Sequence, residues 1–151
     1  MKFIVIILLS AIYLGVGAQG VVTNQQKSGV LLILSNIKKS DGLIQIGVFR
    51  SAEGYPDKPA YNFSLAKDTI KNSSMRFLIP VDKQGPVSLC ILDDDNRNEK
   101  MDYILGIMPK EGFGFSNNPR ISLRGAPPFS ITSFSYNGGL KEISVRMVYM
   151  R

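Results

Sequence analysis

What most limits the fold of this chain is a series of short runs in which apolar residues recur at every second position, bounded by Gly, Pro, Asn or Asp. In LIQIGVF (43–49), Ile44, Ile46 and Val48 fall on one side of an extended backbone, because successive side chains of a strand point to opposite faces. SMRFLIP (74–80) groups Met75, Phe77 and Ile79 in the same way, and KEISVRMVYM (141–150) groups Ile143, Val145, Met147 and Tyr149. VLLILSNI (30–37), VSLCIL (87–92) and SITSFSY (130–136) are further strand candidates. KKSDG (38–42), with Asp41-Gly42 near its end, and Asn137-Gly138-Gly139 both carry turn chemistry and predict hairpins between the runs on either side. Only SLAKDTIKN (64–72) has a helical pattern, enough for one or two turns. The expectation is an all-β fold: a small antiparallel β-sandwich, immunoglobulin-like or transthyretin-like, with about seven strands.

The N-terminus, MKFIVIILLSAIYLGVGAQG, has one basic residue at Lys2, an apolar run from Phe3 to Leu14, and small residues Val16 and Ala18 where a signal peptidase reads. That run is shorter than the roughly 20 residues a membrane span needs. The organisation expected is a cleaved signal peptide over 1–18, a flexible segment over 19–28, and a single domain over 29–151. The mature protein is then extracytoplasmic (periplasmic, outer-membrane-associated or secreted) with no membrane span. Cleavage removes Lys2 and lowers the net charge from +6 to +5. The basic residues are scattered, without the basic and aromatic stripe of a nucleic-acid surface, so nucleic acid is not an expected partner.

The chain has one cysteine, Cys90, and no histidine. An internal disulfide is impossible, so stability must come from an ordinary core, and Cys90 within VSLCIL reads as a small buried hydrophobe. Without histidine, Ser-His-Asp and Cys-His catalysis are excluded, as are the usual zinc sites. Neither standard Gly-rich phosphate loop is present.

The polar stretch DDNRNEKMD ends at Asp102 and alternates acidic or amide side chains. Read as a twelve-position calcium loop starting at Asp94, it places Asn96, Asn98, the Lys100 carbonyl and Asp102 at positions 3, 5, 7 and 9. Oxygen ligands at alternate positions suit Ca²⁺, the one cofactor this chain suggests. Glu99 stands where glycine permits the sharp turn, Leu105 stands where a bidentate glutamate closes the shell, and Arg97 and Lys100 oppose a cation. The favoured reading is therefore a polar turn whose Asp and Asn side chains bond their own backbone, with weak calcium binding as the alternative. A carboxylate pair, Asp94 or Asp102 with Glu111, is the only hydrolytic arrangement considered, and it ranks last.

Two segments resemble a bacterial family, domain of unknown function 2141. Its members carry D-x-N-x-N-G-K-L-D and, after a short spacer, G-I-P-K-E-G-Y-G-F-S-N-N. Here these are DDNRNEKMD and GIMPKEGFGFSNN (106–118), with GAPPF (125–129) and FRSAEGYP (49–56) matching further elements. Glu99 replaces the family's glycine, and Asp93 the histidine that often precedes the segment. The resemblance implies an exported β-sandwich, mostly of Gram-negative bacteria, with no established activity. In the second segment, Gly112 and Gly114 suggest sharp turning or positive φ, in a loop where Phe113 and Phe115 either pin the sandwich edge or contact a ligand. The candidate binding surface is Glu111, Phe113, Phe115, Ser116, Asn117 and Asn118, beside the acidic loop. The function expected is a binding or interaction module, not an enzyme, whose partner is an envelope protein or a surface glycan. The alternative is a structural component of a surface assembly that offers a sheet edge to a neighbour.

Overall fold

A computed structural model describes residues 28–38, 40–122 and 124–150. The expected signal peptide and nearly all of the segment expected to be flexible lie outside the described residues. Ten strands are formed among those described: β1 (Gly29–Ser35), β2 (Leu43–Phe49), β3 (Tyr61–Ala66), β4 (Met75–Ile79), β5 (Gly85–Asp94), β6 (Tyr103–Ile104), β7 (Met108–Pro109), β8 (Gly112–Phe115), β9 (Phe134–Tyr136) and β10 (Leu140–Arg146). The fold is all-β and sandwich-like, with more strands than the seven expected, because β6 and β7 form a separate two-stranded ribbon and the shorter pieces pair as well.

One sheet has the order β10-β1-β4, with β1 antiparallel to β4 and parallel to β10. The other runs β3-β2-β5-β8, with β9 pairing the start of β5. The alternating residues do what their period requires. Val30, Leu32 and Leu34 of β1, Ile44, Ile46 and Val48 of β2, and Val87, Leu89 and Ile91 of β5 are buried in one cluster with Met75, Ile79, Val145 and Met147. Each such side chain contributes about 1.5–3 kcal/mol on burial, which must offset the entropy of ordering the chain. The two sheets also touch through their backbones, where Phe113 and Val148 exchange hydrogen bonds of 3.0 and 2.7 Å.

Both expected hairpins are corrected by this topology. β1 and β2 lie in different sheets, so residues 36–42 carry the chain from one sheet to the other. Asn137-Gly138-Gly139 likewise leads from β9, paired with β5, to β10, paired with β1. Turn chemistry specifies that the chain bends, but not which strand it pairs with next. Gly42 shows what the bend needs: it sits at φ +85°, and a Cβ there would lie 2.2 Å from the Asp94 carbonyl oxygen. The helical pattern over 64–72 yields only one 3₁₀ turn, Lys67–Thr69, because β2 offers its edge to Tyr61–Ala66 as a strand. Within 130–136 the chain makes one helical turn, α1 (Phe129–Thr132), before β9 begins.

Candidate functional site

The acidic loop leaves the end of β5 as a ladder of side-chain-to-backbone hydrogen bonds. Asp94, fully buried as the last residue of that strand, accepts the Asn98 N–H at Oδ1 (3.1 Å) and the Glu99 N–H at Oδ2 (3.0 Å). The Gln45 amide also donates to its Oδ2, at 3.2 Å. Asn96 Oδ1 accepts the Asn98 N–H at 3.1 Å, and Asn98 Oδ1 accepts the Lys100 N–H at 2.9 Å. Asp102 receives the amide groups of both asparagines, at 2.7 Å from Asn96 and at 3.2 and 3.3 Å from Asn98. These are the local bonds by which Asp and Asn build turns. Glu99 takes φ +61°, the left-handed conformation that glycine would adopt without strain.

Glu111 closes the loop from outside. It is 3% exposed, and its two carboxylate oxygens accept the N–H groups of Asp95 and Asp102, both at 3.1 Å. Burial is the main cause that raises its pKa above the usual carboxylate value; the two N–H donors oppose the shift, and the charges of Asp102 and Asp94 add to it. Both ends of the loop are thus tied to one side chain at the start of β8.

This geometry offers little to a cation. Both oxygens of Asp102 already hold amide protons, and turning the Asn96 and Asn98 amides to face an ion would set their oxygens against that carboxylate. Leu105 is 93% exposed. Among the described residues no group of three or more His, Cys, Asp or Glu side chains could hold a metal ion.

The second segment is a strand rather than a loop. β8 pairs with β5 so that Phe113 faces Leu92 and Phe115 faces Cys90, all on the outer face of the five-stranded sheet. Gly112 and Gly114 therefore point inward, and neither has positive φ. Their lack of a side chain serves a close approach instead: a Cβ would meet the Tyr149 ring at 2.2 Å from Gly112, and Val145 Cγ1 at 2.7 Å from Gly114. Ser116 is buried, accepting the Leu89 N–H at 2.9 Å and donating to the Thr132 carbonyl at 2.6 Å. The Asn117 amide donates to the carbonyls of Ile131 and Ser133, at 3.0 and 2.8 Å. Asn118 donates to the Ser144 carbonyl (2.9 Å) and accepts the Arg146 N–H (2.7 Å). Of the six residues expected to contact a ligand, four hold the fold together with their polar groups, and the two phenylalanines remain on the outer face.

That face carries a groove of about 890 Å³. Gln45, Cys90, Leu92, Phe113 and Phe115 line its floor, and Glu99 to Met101 with the β6–β7 ribbon form one wall. The ribbon exposes Tyr103, Ile104, Leu105 and Ile107 together. The sequence reading missed this wall, because nothing in YILGIMP announces two-residue strands. Cys90 is only half buried and stands on the groove side of β5, not in the inter-sheet core, beside Tyr55. Burial pushes its thiol up to about 12, the behaviour of an inert cysteine.

Among the described residues no helix is long and apolar enough to cross a membrane. No curated protein and no solved structure matches the chain. The profile of a family described as "uncharacterized protein conserved in bacteria" matches residues 33–144, a span that runs from β1 through the acidic loop and β8 into β10. The chain therefore belongs to the bacterial family of domain of unknown function 2141.

Proposed function

We propose that this protein is an exported binding module whose ligand lies in the groove on the outer face of the five-stranded sheet. The observation that carries the reading is the coincidence of that groove with an exposed apolar ribbon. Tyr103 and Ile107 line the groove and are mostly exposed, next to Leu105. Apolar side chains gathered on one ribbon around a concave floor mark an interaction site more often than isolated surface leucines do. The floor mixes aromatic and aliphatic groups with Gln45 and Asn62, and Asp57, Glu99, Lys100 and Arg124 stand around it, while the exposed ribbon favours a partner presenting an apolar face. A segment of an envelope protein with its own apolar side chains covers that exposed ribbon better than a glycan does. The acidic loop then serves as a stiff rim, and its reading as a weak Ca²⁺ loop has less support because its carboxylates are already bonded to the chain.

The test is a fluorescence titration of the folded protein with anilinonaphthalene sulfonate, a probe of apolar sites. Saturable binding to the wild type, lost in Ile107→Asp with an unchanged melting temperature, is expected. Absence of saturable binding, or binding that Ile107→Asp leaves intact, would sink the groove as the binding surface.

A further inference from the structure

Away from the groove, the opposite face of the same strands holds a buried charged cluster that no binding role explains. In β2, Ile44 lies opposite Leu65 of β3 on one side and Asp93 of β5 on the other, so these three side chains share the inward face. Lys67, two residues beyond Leu65, is 4% exposed, and Asp93 is fully buried. The Lys67 ammonium contacts Asp93 Oδ1 directly, lies 3.6 Å from Asp95 Oδ1, and donates to the Asp41 carbonyl. The Tyr149 hydroxyl donates to Asp93 Oδ2 and accepts the Lys38 N–H at 3.0 Å. A lysine and an aspartate withdrawn together from water are a poor source of stability as ions, since desolvation offsets their attraction.

We propose that Lys67 and Asp93 condense into an intramolecular amide, with Asp95 moving the protons. The Asp95 carboxylate takes a proton from the Lys67 ammonium and passes it to Asp93 Oδ1, and the freed Nζ lone pair attacks Cγ of the resulting neutral acid. Asp93 Oδ2, held by the Tyr149 hydroxyl, becomes the amide oxygen. Asp95 then relays a second proton from the nitrogen to Oδ1, the Cγ–Oδ1 bond breaks, and one water leaves. An ammonium and a carboxylate thus become a neutral amide and water, with no change of oxidation state and no co-reactant. The product removes both buried charges and ties the end of edge strand β3 to β5 across β2, beside the acidic loop. An enclosed nucleophile and its acceptor, held in contact by strand register, need no further approach, which is how positioning lowers such a barrier.

The experiment is intact-mass spectrometry of the purified, folded protein, followed by tryptic mapping. The mass is expected to fall short of the sequence mass by one water. Trypsin should fail at Lys67 and release residues 51–71 joined to residues 84–97 as a single branched peptide. Lys67→Arg, which keeps a cation opposite Asp93, and Asp95→Asn, which keeps both reacting groups, should each restore the full mass. A wild type of full mass with cleavage at Lys67 overturns the proposal and leaves an ion pair only. A missing water that maps to another residue, as in a succinimide, also overturns it. A cross-link that persists in Asp95→Asn overturns the role given to Asp95.

Discussion

Replacing Glu111 by Gln keeps the shape of the side chain but turns one carboxylate oxygen into an NH₂ group, which then faces a backbone N–H of Asp95 or Asp102. A buried donor left without an acceptor costs about 1–3 kcal/mol, so Glu111→Gln should lower the urea midpoint at neutral pH by a corresponding amount. The pH dependence has a definite sign. Burial raises the folded-state pKa above 4.5, so folded Glu111 binds its proton more tightly than the unfolded chain does. Its contribution is fully present below the unfolded value and is lost as pH rises through the folded one. The stability difference between wild type and Glu111→Gln should therefore widen as pH falls from neutral towards 4.5, and urea titrations across that range measure it. A difference that narrows on acidification would contradict the dominance of burial. At this scale, the alternation from Asp94 to Asp102 was legible as a polar turn because its bonds span only two to six residues. The role of Glu111 was not legible, since the amides it holds lie nine and sixteen residues away.

At the scale of elements, β8 is the informative case. Its sequence GFGF reads as a sharply turning inter-strand loop, because glycine is usually taken as a turn residue. In the sandwich the two glycines are the inward positions of a strand pressed against the chain of β10 and its extension, and the phenylalanines are the outward ones. Gly114→Ala would place a Cβ 2.7 Å from Val145 Cγ1 and 3.3 Å from Met147 Sδ, both in the packed interior. Overpacking of this kind costs about 1–3 kcal/mol. Denaturant unfolding should show a lower midpoint with an unchanged slope; an unaffected midpoint would mean that β10 does not lie this close. The same lesson applies to the turns at 38–42 and 137–139. Their residues specify bends, while the strands they join sit in opposite sheets.

For the whole molecule, the decisive contact is the parallel pairing of β1 with β10, which sets Gly29 against Leu140 and Ser35 against Arg146. It joins the first and last strands and brings Val145 and Met147 into the core. Removal of residues 140–151 would leave β1 paired with β4 alone and open the interior from one side. Such a truncated chain should lose its cooperative melting transition by circular dichroism, whereas a retained transition would show that the five-stranded sheet is stable by itself. Sequence alone determined the class of fold, the inward residues of the long strands, the turn character of the acidic loop and the family. These follow from side-chain period and from bonds between near neighbours, which any local stretch carries within itself. Tertiary structure decided the sheet partners, the groove, the closure of the loop by Glu111 and the meeting of Lys67 with Asp93. Each of those depends on which distant strand lies alongside, and strand pairing is set by packing of the whole interior rather than by the residues at either end of a turn.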